Sequence, residues 1–453
     1  MSGVDAAWWH MSRPHNPMII VGMLQLRSAP TLDALRELVA ARLLGHRRLR
    51  QRPVHDAEGD HWERDPRFRL ERHVVRRRLA AGQSLQDWIA ALCLEALPSE
   101  HPPWQMTLVD DADGPALVMR FHHCMADGSA LIRLLLALTD AETAVALPGM
   151  PTGAPDDTAP QSLLDDLRRL FSDAEAAIGA KPAPQPDAAQ ALTTPLVRVL
   201  VALGGELIRL AEMPDEAPTP FRQAPCLRKA LAWSEALPQR DAKHVAQAFG
   251  CSVNAVLVSC LAAALGAELQ TRGHDARKTE IRVLIPMPLR GTRRAAPLHG
   301  NHFGLVNLSL PLGISNPVAR AWEVHRRLDA LAGTRQALLM HVLLGIVGLL
   351  PPDLRTRALD FLSDKATAVL TLVPGPPAAR TLAGARVDDM VFWVPQSGSI
   401  GIGLSILTYD GRMRVGLMSN AEVVPQPAAV MRQFEAEFAR LVPLADVLAA
   451  QRH

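Results

Sequence analysis

The stretch His122-His123-Cys124-Met125-Ala126-Asp127-Gly128 decides how this chain is read. Before it, Ala116 to Phe121 is a short apolar run that starts after Asp113-Gly114-Pro115, as a buried strand does. After it, Leu131 to Leu138 has the composition of a helix. The two histidines therefore sit at a strand end, in the turn that leads into a helix. Side chains alternate along a strand, so His122 and His123 are expected on opposite sides. His123 shares its side with Phe121, Met119 and Leu117, and His122 with Arg120 and Val118. Asp127 lies in a turn that can fold back, and Gly128 accepts backbone angles that other residues resist.

A neutral imidazole near physiological pH suits the removal of a proton from a hydroxyl, and His123 is the candidate base. Three other readings compete. His123 could be an ordinary buried histidine, although the dense motif weighs against that. His122, His123 and Asp127 could hold a metal, but opposite strand faces and the lack of a further clear ligand oppose it. Cys124 could be a nucleophile beside a histidine, yet adjacent side chains rarely meet.

Working outward, 453 residues exceed one ordinary core, and an apolar share of 48% is enough to fill two. A net charge of +2 excludes a dedicated nucleic-acid-binding protein. The five cysteines form no C-x-x-C, so reduced, intracellular thiols are expected rather than disulfides or a zinc ribbon. The start, Met-Ser-Gly-Val-Asp-Ala-Ala-Trp-Trp-His, is not a secretory signal, which points to the cytoplasm. No run reaches the roughly 18 to 20 apolar residues that span a bilayer. The nearest, Ala337 to Leu350, is broken by His341 and closed by Pro351-Pro352. It reads as a buried core helix, with contact to the inner membrane or a lipid droplet as the sharper alternative.

The first lobe covers residues 1–145, with helices opened by Thr31 and by Ser84. Residues 47–78, rich in arginine with acidic residues mixed in, read as a solvated face, with a docking surface for phosphates or anionic lipid head groups as the alternative. Residues 146–225 are a Pro- and Ala-rich linker containing helices, and 226–453 form the second lobe. That lobe shows strand-like runs at Ile281–Ile285, Phe303–Leu310, Ala368–Val373, Ile400–Leu407 and Met413–Met418. Helical stretches are expected at 253–265, 318–331, 337–350 and 428–441. Both lobes are therefore α/β with mixed sheets.

With these residues in view, the chain resembles the bacterial wax ester synthase/acyl-CoA:diacylglycerol acyltransferase family. This is a branch of the coenzyme A-dependent acyltransferase superfamily that includes chloramphenicol acetyltransferase and peptide-synthetase condensation domains. The superfamily motif H-H-x-x-x-D-G is complete at His122 to Gly128. Other segments match in order: Asn16-Pro17-Met18 with Gly22, Pro102-Pro103-Trp104, Ile285-Pro286-Met287-Pro288-Leu289-Arg290, Gly300-Asn301 and Val373-Pro374-Gly375-Pro376. Gly401-Ile402-Gly403-Leu404 and Thr408-Tyr409-Asp410-Gly411 complete the set. Departures fall at Ala255, at Thr371-Leu372, at the Pro-Pro-Trp element and at 417–420, all outside the catalytic segment.

The resemblance implies two similar lobes with an active-site tunnel between them and His123 as the base inside it. It implies that Asp127 supports the loop, with Arg290 of the other lobe as its candidate partner and Asn301 as a support of the site. Trp104 is expected in core packing. The implied reaction moves a fatty acyl group from acyl-CoA, a co-substrate rather than a cofactor, to a long-chain alcohol or diacylglycerol. No cofactor or metal is expected. The departures at Ala255 and Leu372 leave two alternatives: a different alcohol or amine acceptor, or a lipid-binding homologue without turnover.

Overall fold

The computed structural model describes residues 1–142, 201–289 and 300–451, apart from 58, 112, 113, 215 and 333. Strand Ala116–His122 lies inside a seven-stranded sheet. Its order is Val74–Arg78, Trp104–Asp110, Ala116–His122, Ile19–Leu26, Ala385–Trp393, Arg380–Leu382 and Asp140–Ala141. Ile19 stands opposite His122, so the two histidines leave the sheet where its neighbouring strand begins. The second sheet runs Phe303–Pro311, Glu280–Pro288, Ala368–Pro374, Ile402–Tyr409, Arg412–Asn420 and Lys229–Trp233. Both sheets are mixed: Val74–Arg78 pairs parallel with Trp104–Asp110, and Ala368–Pro374 pairs parallel with both its neighbours.

The second lobe does not run unbroken from 226 to 453. Residues 380–393 cross over and complete the first sheet, where Val21 pairs with Trp393 and Leu24 with Met390. The cause is the strand edge of Ile19–Leu26, which needs a second partner once Ala116–His122 occupies the other side. On its way the crossing strand stays close to the second sheet, whose Ser405 hydroxyl donates to the Phe392 carbonyl. Of the expected linker, 146–200 lies outside the described residues, and 201–212 is helical.

The arginine-rich stretch folds as the hairpin Gln51–Asp56 and Gly59–Arg64, followed by strand Val74–Arg78. Arg52 pairs with Glu63 and Arg76 with Asp110 at the surface, as a solvated face would. Trp104 is in the core, donating its indole N–H to the Leu49 carbonyl. The expected helix at 337–350 is Gln336–Gly348, buried along most of its length, with the His341 ring bonded to the Phe303 carbonyl. The longest apolar run is a different one, which corrects the sequence reading. Val253–Thr271 has 19 residues and the length and composition to cross a membrane, yet it is packed into the second lobe's core.

The helix Gly3–His10 was not anticipated. Ser2 caps it by accepting from the Asp5 N–H. It lies against Gln336–Gly348 at backbone contact: a β-carbon on Gly348 would stand 1.8 Å from the Gly3 carbonyl oxygen. This closeness brings Asp5 and Trp8 over the seam between the lobes. Gly348→Ala is expected to destabilise the fold by about 1–3 kcal/mol, the cost of overpacking. A thermal midpoint equal to that of the unsubstituted protein would show that the contact is not required.

Candidate active site

The turn after strand Ala116–His122 is held from two sides. The His123 N–H donates to the Met18 carbonyl at 2.8 Å, anchoring it to the first lobe. The Gly300 N–H donates to the Met125 carbonyl at 2.8 Å and the Asp127 N–H to the Gly300 carbonyl at 3.2 Å, anchoring it to the second. Gly300 has φ +83°, a backbone angle that a side chain resists, so the close backbone bridge depends on glycine here.

Asp127 caps the helix Gly128–Leu138. One carboxylate oxygen accepts from the Ala130 N–H and the Ser129 hydroxyl, both at 2.8 Å. The other accepts from the His302 N–H at 3.0 Å, across the seam. Asp127 therefore supports the loop from both lobes. Arg290, the expected partner, lies outside the described residues. Gly128 does not occupy the left-handed region, which corrects the reason given for it. A β-carbon there would meet the Val373 side chain at 3.4 Å, an ordinary contact, so the space does not demand glycine either.

The two histidines separate as the strand alternation requires. His122 is buried against Trp9, and its Nδ1 accepts from the Cys124 N–H at 3.2 Å. Its Nε2 must then carry the hydrogen, donated to the Ser12 hydroxyl at 2.7 Å. Burial, then the nearby His123, pushes its pKa down to about 3, so it stays neutral. The ring of His123 stacks on Trp8 with centroids 4.2 Å apart and faces the cavity between the lobes.

The protonation of His123 can be read from its partners. The Asn301 amide nitrogen donates to the Asp5 carboxylate at 2.7 Å and to the His123 carbonyl at 2.9 Å. Both are acceptors only, so the amide cannot be turned over. Its oxygen, 3.0 Å from His123 Nδ1, must accept. Nδ1 therefore carries the hydrogen, and the Nε2 lone pair is left for the cavity. Burial pushes the His123 pKa below the ordinary imidazole range, opposed by its own backbone, Asp127, Asn301 and Asp5. The ring is neutral at pH 7.

The other two readings of the motif lose their geometry. His122, His123 and Asp127 each face different partners and do not converge as metal ligands. Among the described residues the donor set suited to a cation is His10, His55 and Asp60, whose rings bond to Asp60. Cys124 is fully buried in an apolar core to which both lobes contribute, and burial raises its thiol pKa well above the usual value. Asp5 and Trp8 are the site residues that sequence reasoning missed. The Asp5 carboxylate, four per cent exposed at the helix start, is the sort of buried charge that only a specific partner explains.

The cavity beside His123 has a volume of about 280 Å³. Trp8, Met18 and Phe303 line it near the ring, while Thr371, Leu372 and Val373 line it from the second sheet. Ser363, Lys365 and Ser397 add polar groups to its lining. A second chamber of about 70 Å³, almost wholly apolar, lies between the first sheet and helix Gly128–Leu138. Ile20, Gly128, Val373 and Phe392 line both spaces, so the chamber adjoins the cavity.

Known proteins share this architecture. The "Wax ester synthase/diacylglycerol acyltransferase catalytic domain" matches residues 1–257, and the "WS/DGAT C-terminal domain" matches 299–442. A probable diacylglycerol O-acyltransferase, tgs1, of Mycobacterium tuberculosis is 27% identical over 92% of this chain and 89% of its own. The solved wax ester synthase/diacylglycerol acyltransferase of Marinobacter aquaeolei VT8 superposes with TM-score 0.64 at 15% identity, covering 98% of each chain. The first condensation domain of the calcium-dependent antibiotic synthetase gives 0.59 at 16%, covering 98% and 95%. The fold is thus α/β and two-lobed, the fold that these two solved structures share. By its sequence across both lobes, the chain belongs to the wax ester synthase/diacylglycerol acyltransferase family.

Proposed function

We propose that this protein transfers a fatty acyl group from acyl-CoA to the hydroxyl of a long-chain alcohol or a diacylglycerol, with His123 as general base. The observation that carries the reading is the Nε2 lone pair of His123, fixed by Asn301 and Asp5 and turned to a largely apolar cavity between the lobes. The acceptor hydroxyl attacks the thioester carbonyl carbon while Nε2 takes its proton. The tetrahedral intermediate collapses with rupture of the C–S bond, and the imidazolium returns the proton to the departing thiolate. No enzyme nucleophile is needed when both substrates bind together.

The polar groups of Ser363, Lys365 and Ser397 in the lining suit the pantetheine arm and its phosphates, and the apolar chamber suits a hydrocarbon tail. Val201, Leu207 and Ile208 are exposed on the helix whose Leu210 lines the cavity. We place the lipid surface that delivers the acceptor on that side, with the protein at the periphery of the inner membrane or a lipid droplet.

Purified protein given palmitoyl-CoA with hexadecanol or a diacylglycerol should release free coenzyme A. His123→Ala should lower kcat by about 10²–10⁴-fold, the usual worth of a general base. Unchanged turnover would refute the role, and turnover only with short alcohols or amines would move the acceptor to another class.

The activity should fall on the acid side as His123 gains a proton, and the midpoint should lie below the free-imidazole value because burial lowers the pKa. Asp5→Asn should reduce kcat by about 10²-fold or more, because it frees the Asn301 amide to turn and the ring to change tautomer. A full-rate Asp5→Asn enzyme would separate catalysis from this chain of hydrogen bonds.

Gly22 lines the apolar chamber, with the Met119 methyl 3.6 Å from where a β-carbon would stand. Gly22→Leu should fill the chamber and shift preference toward shorter chains in a series of acyl-CoAs and alcohols. Identical chain-length profiles would exclude the chamber as a tail site.

A further inference from the structure

Lys229 opens the strand Lys229–Trp233 of the second sheet. Its ammonium has three N–H donors, and three amide oxygens meet them. These are Asn16 Oδ1, Gln396 Oε1 at 2.6 Å and Asn420 Oδ1 at 2.8 Å. All three amides are at most one per cent exposed. Among the described residues no carboxylate pairs with this lysine. Burial lowers its pKa to about 8, opposed by the thiols of Cys93 and Cys226. A desolvated cation held by neutral acceptors is a costly device for stability alone, since the same burial penalises the charged form. Its value has to be sought in what it holds.

It holds the middle of one loop. The Arg13 and Asn16 backbones exchange both their hydrogen bonds, at 3.0 and 2.8 Å, closing a tight turn. Before that turn, the Ser12 hydroxyl accepts from His122 Nε2. After it, the Met18 carbonyl accepts from the His123 N–H. Met18 sits at φ +44°, in the left-handed region that a side chain resists, so the loop needs external restraint to keep this shape. The loop grips both histidines of the motif, and its centre is tied through Asn16 to the second sheet and, by Gln396, to the segment after the crossing strand. Gln396 is oriented by donating to the Met418 carbonyl at 2.7 Å.

We infer that Lys229 is a positioning residue for the acyl transfer: its ammonium fixes the loop 12–18 through Asn16 and so aims the His123 ring at the cavity. The inference rests on His123 as the base, so its test has one readout that does not depend on turnover. The ring NMR signals of His123, assigned by their loss in His123→Ala, should shift or broaden in Lys229→Met. The kcat of that variant should fall by about 10- to 100-fold, the cost of a small misplacement of a reacting group. Asn16→Ala should reproduce both effects, and the double variant should be no worse than either single one. In a His123→Ala background, Lys229→Met should cost nothing further.

Unmoved His123 signals in both variants, or losses that add in the double variant, would overturn the latch. So would a Lys229→Met loss that persists without His123. If instead His123→Ala keeps full turnover while the signals still shift, the base assignment fails and the positional link stands. Should Lys229→Met not fold, Asn16→Ala carries the same expectations by itself.

Discussion

The site depends on one side-chain amide that cannot be turned over. Asn301 gives both its N–H groups to oxygens, one on Asp5 and one on the His123 backbone, and this leaves its oxygen for the ring. An imidazole has two nitrogens and one hydrogen at neutral pH, and only the arrangement with the hydrogen on Nδ1 fits. The carboxylate of Asp5 does not touch the ring and still decides, through Asn301, which ring nitrogen carries the hydrogen. The relay also joins three distant parts of the chain, the first helix, the strand-end turn and the start of the second sheet.

That junction explains why the cavity beside His123 lies at the seam. Backbone bonds between Met125, Gly300 and Asp127 tie the motif's turn to the second lobe. Asp127 repeats the tie with its side chain, capping its own helix and accepting from His302. The bridging contacts are directional hydrogen bonds, so they fix the lobes at a defined separation, and the apolar side chains around them leave a void. The walls are mostly apolar, with a few polar side chains among them.

Much of this was legible in the residues, and the rest was hidden for physical reasons. The strand-turn-helix around His123 could be read because an apolar run and a polar, glycine-ended turn leave periodic traces. Opposite placement of the two histidines followed from strand alternation alone. The capping role of Asp127 was also within reach, as it stands just before a helical run. The helix Gly3–His10 was not, because it is short and buried on most sides, so it lacks an amphipathic stripe. With it went Asp5 and Trp8. The crossing of 380–393 was equally hidden: its alternation marks a strand, but nothing local says which sheet receives it. The burial of Val253–Thr271 shows the same limit, since apolar length is shared by core helices and membrane spans.

The crossing strand has a consequence for how the chain comes into being. On a ribosome the strand Ile19–Leu26 emerges early, yet its second partner, Ala385–Trp393, arrives only after most of the chain has been made. For that interval the nascent first lobe presents an unpaired apolar edge, a template for unwanted pairing. Asn301 likewise follows His123 by 178 residues, so the ring lacks this partner until that stretch has been made. A product cut short before residue 385 would keep that edge bare, and so be an aggregation hazard.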